Sequence, residues 1–133
     1  MTNSVRSTRR TAALQVLEQL EAGAPDKVAQ NLDEVAPELV EIVLGFAFAD
    51  VLSRPDLDLA SREMCTVAAL TAMGTASGQL EFHIRAALNV GVAKEQIIEI
   101  ILQMAVYAGV PACMNGIAAA KRAFAVVDRK TLA

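Results

Sequence analysis

The amino-acid sequence predicts an all-α fold, a single-domain bundle of six or seven helices. Apolar residues recur at spacings of three and four along most of the chain, which is the period of one helical face. Glycine and proline separate these segments, and no segment alternates between apolar and polar residues as a strand does. We expect residues 1–10 to form a disordered N-terminal segment and residues 11–133 to form one domain, which is long enough to bury a core.

The first half of the chain contains three predicted helical segments. Residues 11–20 form a short amphipathic helix that ends before Gly23. Residues 26–34 are long enough for one or two further turns. Pro37 suits the first turn of a third helix, predicted over residues 37–52, because its missing N–H costs nothing there. Since this third helix is apolar nearly all round, we expect it to be deeply buried.

The second half of the chain contains four predicted helices with clear ends. They cover residues 59–73, 77–90, 93–107 and 111–127. Asp58 and Ser77 can act as N-caps, because their side chains accept hydrogen bonds from unpaired backbone N–H groups. Gly91 suits the left-handed conformation that follows many helices. The predicted core positions are Met64, Val67, Ala68, Thr71, Leu80, Ile84, Ala87, Leu88, Ile97, Ile98, Ile101, Leu102 and Ala105.

Composition and charge argue against two classes of function. A net charge of −3 and an isoelectric point near 5.1 argue against nucleic-acid binding, which needs a concentrated basic surface. No apolar run reaches the roughly 18 residues needed to span a bilayer, so we do not expect a membrane protein. The 54% hydrophobic composition and the mean hydropathy of +0.39 instead predict apolar helix faces buried between subunits.

The two cysteines indicate a reducing compartment, and we expect the protein to be cytoplasmic. Cys65 and Cys113 both lie in apolar helical segments, where we expect small buried thiols. They are too far apart in the sequence to form a Cys-x-x-Cys redox motif. The polar N-terminal segment lacks the apolar region of a signal peptide.

His83 is the only histidine in the chain and the first candidate for a functional residue. It lies beside the apolar stripe of the predicted helix over residues 77–90, between Phe82 and Ile84. An imidazole is the side chain best suited to exchange a proton near neutral pH. A lone histidine on a helix can also be structural or simply exposed, so both interpretations stay open from the residues alone.

Three phrases of the sequence resemble the carboxymuconolactone decarboxylase family, part of the alkylhydroperoxidase-D-like superfamily. They are SRPDLDL followed by RE, then HIRAALNVG, then QMAVYAGVPA, in this order and spacing. The resemblance covers about residues 37–124. It implies an all-α, alkylhydroperoxidase-D-like fold whose subunits assemble as homotrimers or homohexamers, with active sites near subunit contacts.

Members of the superfamily differ in the chemistry that they catalyse. Its peroxidase-type members carry Cys-x-x-Cys-x-x-x-His, in which two thiols act as a redox pair. If His83 takes the histidine position, the two cysteine positions fall on Ala76 and Gln79, and neither side chain can form a thiolate. Thiol peroxidase chemistry by that route is therefore excluded.

The decarboxylase members resemble this chain better, and they imply an activity. Their substrate is γ-carboxymuconolactone, a small dicarboxylic lactone of the β-ketoadipate route of aromatic compound catabolism, and their reaction needs no metal and no organic cofactor. The resemblance makes His83 the proton donor and Glu63 its partner, the latter with one residue of slack in the alignment. Arg62 and Arg85 are the candidate anchors for a substrate carboxylate, and Gln79, one turn before His83, is a candidate pocket residue.

Each candidate also has a simpler interpretation, and two other functions stay open. Glu63 can be a favourable charge in the first turn of a helix, and Arg85 points away from His83 on the same helix. Cys65 can be a small core residue or the reactive thiol of a thiol-dependent peroxidase. The chain can also be a non-catalytic oligomeric binding protein. The chain contains no tryptophan where well-matched decarboxylases carry one before the SRP turn, so the substrate itself is left open.

Overall fold

The computed structural model describes residues 3–32 and 34–133, and every described element is helical. The all-α prediction is therefore confirmed for this part of the chain. The chain folds as two compact units, of which the first ends at Asp58 and the second covers Leu59–Ala133. Each unit is described by itself, and the single domain predicted over residues 11–133 stays a prediction.

Unit 1 contains three helices, the last of which changes its hydrogen-bond pattern. The helix α1 covers Asn3–Leu20, α2 covers Ala24–Leu32 and α3 covers Pro37–Ile42. Without a break, α3 continues into a π-helical segment, Val43–Leu52. Its last turn is closed by the N–H of Ser53, which donates to the carbonyl of Phe48 five residues earlier at 3.0 Å.

The helix α1 begins eight residues before its predicted start. Residues 3–10, expected to belong to a disordered segment, are helical, whereas Met1 and Thr2 lie outside the described residues. Two ion pairs join this extension to the third helix: Arg9 binds Asp50 through both carboxylate oxygens, and Arg10 binds Glu41. Both pairs are partly exposed, so each contributes at most about 1 kcal/mol to the free energy of unfolding.

The expected deep burial of residues 37–52 is wrong. Val40, Leu44 and Phe48, spaced four apart, form the one buried face of the third helix. The other apolar side chains are outside, and Phe46 is 64% exposed. Within unit 1 the π-helical segment contacts α1 and α3 contacts α2, and these two short contacts do not surround a helix that is apolar all round.

Unit 2 contains four helices with the predicted order and nearly the predicted ends. The helix α4 covers Leu59–Met73, α5 covers Ser77–Asn89, α6 covers Lys94–Ala108 and α7 covers Val110–Leu132. The last helix begins one residue earlier and ends five residues later than predicted. Arg129 and Lys130 lie in its last turn, where a positive charge interacts favourably with the helix dipole.

The core of unit 2 is formed largely by the predicted positions, but one core residue and one N-cap were predicted wrongly. Val67, Leu80, Ile84, Ala87, Ile97 and Ile101 are buried, together with Cys113 and three alanines of α7. Leu102, predicted as a core residue, is 47% exposed. Ser77 is the first residue of α5 and not its N-cap: the N–H of Leu80 donates to the carbonyl of Ala76, which makes Ala76 the cap.

Glycines set the end of α5 and the closest helix contact. Gly91 has a φ of +100°, and the N–H groups of Gly91 and Val92 donate to the carbonyls of Leu88 and Ala87, which is a Schellman motif. At Gly116 of α7, a Cβ atom would lie 2.8 Å from Ile101 and 2.9 Å from a methyl of Thr71. Only glycine allows α7 to approach α6 and α4 this closely.

Candidate active site

Two of the predicted catalytic residues meet inside unit 2. Glu63 lies on α4 and His83 lies on α5, and the Nδ1 atom of His83 is 2.8 Å from the Oε2 atom of Glu63. The glutamate side chain is fully buried, whereas the histidine side chain is 15% exposed. The pair therefore has an inner member, Glu63, that is shielded from solvent and an outer member, His83, that reaches solvent.

The contact with Glu63 orients the imidazole. When Glu63 is ionised, its carboxylate can only accept a hydrogen bond, so Nδ1 of His83 carries the hydrogen and donates it to Glu63. The other ring nitrogen, Nε2, is then the atom that can exchange a proton with a bound molecule. A buried carboxylate on one ring nitrogen also stabilises the imidazolium that forms when Nε2 takes up a proton.

Burial rules out the simple helix-dipole interpretation of Glu63. The first turn of α4 contains no acidic residue, and Glu63 lies beyond it, with a side chain that does not reach solvent. Its second oxygen, Oε1, is buried and has no hydrogen-bond partner among the described residues. A desolvated carboxylate of this kind is costly, and the hydrogen bond from His83 is the contact that compensates it.

The structure shows side-chain contacts on α5 that were not predicted from the sequence. The ring of Phe82 lies edge-on to the imidazole, with the ring centroids 5.0 Å apart and the planes at 87°. Glu81 binds Arg122 of α7 at 2.9 Å and lies 3.6 Å from Arg85. The Glu81–Arg85 pair could have been found from its four-residue spacing, whereas Arg122 is 41 residues away from Glu81 and carries no such signal.

The other predicted site residues lie in different surroundings. The Arg85 side chain is mostly buried, beside Glu81 and 5.9 Å from the centre of the Phe82 ring. Arg62 is half-buried on α4, and Gln79 is exposed in the first turn of α5. Cys65, expected to be a buried thiol, is exposed, because it faces away from the core that Val67 enters two residues later; Cys113 is buried as predicted.

A cavity of about 540 Å³ lies in unit 1 and contains none of the predicted site residues. It is lined by Arg9, Arg10, Glu38, Glu41, Ile42, Leu44, Gly45 and Phe46. Both arginines bind carboxylates of the same unit, so the lining presents no uncompensated positive charge to an anion. Among the residues that the structure describes, no group of three or more His, Cys, Asp or Glu side chains could hold a metal ion.

Comparison with known proteins identifies a family for this chain. The chain belongs to the carboxymuconolactone decarboxylase family, whose model matches residues 37–122. This range includes both members of the pair. Over the described part of the chain, each helix is too short or too polar to cross a membrane.

Three relatives are similar to parts of this chain. A 4-carboxymuconolactone decarboxylase of Acinetobacter baylyi is 37% identical over 83 residues, which cover 62% of this chain and 61% of that protein. An uncharacterized 15.0 kDa protein of Paracoccus denitrificans is 30% identical over 74% of this chain and 75% of its own length. A nitrosuccinic acid decarboxylase of Metarhizium robertsii is 32% identical over 69% of this chain and 58% of its own length. The chain thus spans less than two thirds of either named decarboxylase.

Proposed function

We propose that this protein is a cofactor-independent decarboxylase of a small carboxylic acid, such as the lactone γ-carboxymuconolactone. The observation that carries the proposal is the contact of 2.8 Å between His83 and the fully buried Glu63. A pair of this kind can hold and deliver a proton, and a decarboxylase needs a proton for a carbon of the electron-rich intermediate that remains when CO₂ leaves.

The names of the relatives support a class of substrate. One relative is named for 4-carboxymuconolactone and another for nitrosuccinic acid. Both acids carry a carboxylate near a group that can accept an electron pair, an unsaturated lactone in the first and a nitrogen–oxygen group in the second. The proposed substrate is therefore a small acid whose carboxylate lies next to an electron-accepting group.

The proposed reaction follows from this chemistry. The bond between carbon and the carboxylate breaks, CO₂ leaves, and the electron pair spreads through the C=C bond onto the carbonyl oxygen of the lactone, which gives a dienolate. The imidazolium form of His83 then donates its Nε2 proton to carbon, which restores the carbonyl. Glu63 stabilises the imidazolium before transfer and orients the ring through Nδ1. A proton from water returns His83 to its starting form, so the reaction consumes one proton and releases one CO₂.

The proposed substrate anchors are two arginines on the helices that hold the pair. We propose Arg62 and Arg85 as anchors for a substrate carboxylate, because a guanidinium group offers two parallel N–H donors to it. Arg85 lies 3.6 Å from Glu81, a distance long enough for a substrate carboxylate to compete for the guanidinium. Gln79, exposed one turn before His83, is proposed to line the same site.

The protein is proposed to work in the cytoplasm as a homotrimer or homohexamer. The support is the number of large apolar side chains that a single chain leaves exposed, among them Phe46, Val106 and Tyr107. Apolar surface of this extent is typical of subunit interfaces that form a shared core.

The test of the proposed reaction is the release of CO₂ by the purified full chain. We expect release from γ-carboxymuconolactone or from nitrosuccinic acid, measured by trapping CO₂ and following loss of the acid. The same assay without protein gives the spontaneous rate. Rates no higher than the spontaneous rate for both acids would contradict the proposal.

One observation favours a second candidate, a thiol-dependent peroxidase. The thiol of Cys65 is exposed and can therefore be reached by a peroxide. Cys113 is buried, so Cys65 would have to act alone or with a small-molecule thiol. The two candidates are separated by the Cys65→Ser variant considered below.

A further inference from the structure

A single hydrogen bond leaves the imidazole of His83 incompletely oriented. The contact of 2.8 Å between Nδ1 of His83 and Oε2 of Glu63 fixes one atom of the ring. It does not fix the plane of the ring, because the second torsion angle of a histidine side chain has broad minima. The direction in which Nε2 faces a bound acid therefore depends on a second contact with the ring.

Phe82 makes a second contact of this kind. Its ring lies edge-on to the imidazole of His83, with the centroids 5.0 Å apart and the planes at 87°. This arrangement is one that aromatic pairs prefer. Neighbouring residues of a helix do not face each other, so α5 alone does not bring the two rings together. The contact depends instead on a particular orientation of both side chains.

Charged side chains contact the Phe82 ring and link it to α7. The guanidinium carbon of Arg85 lies 5.9 Å from the centre of the Phe82 ring, within the distance over which a cation is attracted to an aromatic ring. Arg85 lies 3.6 Å from Glu81, which binds Arg122 of α7 at 2.9 Å. Phe82 thus contacts both the imidazole and a guanidinium group of an ionic network that joins two helices.

The core of unit 2 does not explain the burial of Phe82. The side chain is partly buried, but among the described residues it is not one of the apolar side chains that pack against that core. Phe124 of α7 is also partly buried and does pack against the core. A phenylalanine that only fills space between helices would resemble Phe124, whereas Phe82 contacts His83 and Arg85.

We propose that Phe82 is a positioning residue for the proton transfer, an inference that rests on the proposed function. Its ring fixes the plane of the imidazole, so that Nε2 of His83 points at the carbon that is protonated. A misplacement of about 1 Å can lower the rate of a reaction about 100-fold, so the orientation of a proton donor affects turnover. Phe82 has no proton to transfer and no charge to bind a carboxylate, so it acts through His83.

Phe82→Leu is the test variant, because it removes the ring and keeps an apolar side chain. We expect kcat for CO₂ release from the acid that wild type decarboxylates to fall about tenfold, with KM within about twofold, since the proton donor is misaligned and the substrate contacts are kept. Phe82→Tyr, which keeps the aromatic edge, should restore most of the lost turnover. Circular dichroism checks that the helices are kept, and Phe82→Met replaces Phe82→Leu if they are lost.

Phe124→Leu is the matched control. A cation also lies over the Phe124 ring, since Nζ of Lys94 is 5.3 Å from its centre, but this ring packs against the core and among the described residues makes no ring contact with His83. We expect the control to lower the Tm at least as much as Phe82→Leu does, because it leaves a cavity in the core. We expect it to keep the kcat of wild type.

NMR relaxation tests the orientation of the imidazole without any substrate. Because His83 is the only histidine of the chain, the signals of its ring report on this side chain alone. The measurement is the order parameter of the Cε1–H bond in the full chain labelled with carbon-13 histidine. We expect it to fall in Phe82→Leu and to keep its wild-type value in Phe82→Tyr and Phe124→Leu, since a ring restrained by one contact moves more than a ring restrained by two.

The outcomes separate the inference from the function on which it rests. Wild type that releases no CO₂ would overturn the proposed function, and the order parameter alone would then decide whether Phe82 orients the imidazole. An unchanged order parameter or an unchanged kcat in Phe82→Leu would overturn the inference while the proposed function stands. A raised KM at unchanged kcat would also overturn it, because Phe82 would then contact the substrate. An equal loss of kcat in Phe124→Leu would do the same, since it would show that lost packing lowers turnover.

Discussion

At the scale of single residues, the account depends on one hydrogen bond between two helices. His83 is partly exposed and Glu63 is buried, so the pair can exchange a proton on one side and keep a compensating negative charge on the other. The family resemblance predicted both residues. What the sequence could not predict is the missing partner of Glu63 Oε1, because burial of one atom depends on packing from several helices.

Glu63→Gln tests the role of the buried charge. The amide keeps the size of the side chain, but it cannot stabilise an imidazolium and can donate to Nδ1, which favours the wrong tautomer. We expect kcat for CO₂ release to fall by at least about tenfold with little change in KM. Glu99→Gln, the same change at an exposed position of α6, should keep wild-type kcat. An unchanged kcat in Glu63→Gln would contradict a role of the Glu63 carboxylate in the reaction.

Cys65→Ser separates the two candidate functions. The proposed decarboxylase does not use a thiol, so we expect CO₂ release by this variant to stay within about twofold of wild type, since exposed substitutions of this kind change little. Peroxide consumption with a small-molecule thiol is measured on the same samples. Peroxidase activity in wild type that disappears in Cys65→Ser would favour the second candidate.

At the scale of helices, the apolar spacing predicted the elements of unit 2 well and those of unit 1 less well. The ends of α4 were predicted to the residue, because Asp58 and Gly74 flank it. The π-helical segment Val43–Leu52 was predicted as α-helix, since its apolar spacing of four fits both kinds of helix. The early start of α1 could not be predicted, because the arginines that anchor it bind carboxylates more than 30 residues away.

Gly91→Ala tests the helix end that precedes α6. A Cβ at this position would meet no atom within 4 Å, so any effect arises from the φ of +100° alone. We expect the free energy of unfolding to fall by about 1–2 kcal/mol, measured as a lower Tm. Gly78→Ala, which is equally uncrowded but has a helical φ, should leave the Tm unchanged or raise it. Equal effects of the two substitutions would contradict the assignment of strain to Gly91.

At the scale of the whole molecule, part of the high mean hydropathy comes from large apolar side chains that lie on the surface of the single chain. The sequence predicted apolar faces between subunits, and the single chain does leave large apolar side chains exposed. Their positions could not be predicted: Leu102 was assigned to the core and Phe46 to a buried helix, because periodicity identifies an apolar face but not what covers it. The division of the chain at Asp58 also carried no compositional signal.

The salt dependence of assembly tests, at this scale, whether apolar contacts hold the proposed oligomer together. Salt screens interactions between charges and does not weaken apolar contacts, so we expect the dissociation constant to stay the same or to fall between about 0.05 and 0.5 M sodium chloride. Sedimentation velocity of wild type across this range is the measurement. Dissociation of the oligomer by added salt would show that ion pairs hold the subunits together.

The most direct test of the central claim is the turnover of His83→Ala. The measurement is kcat for CO₂ release from the acid that wild type decarboxylates, with sedimentation velocity on the same samples. We predict a loss of about 100-fold or more with an unchanged assembly, because the proton donor is removed while the exposed surfaces are kept. Turnover close to wild type in a correctly assembled His83→Ala protein would contradict the account.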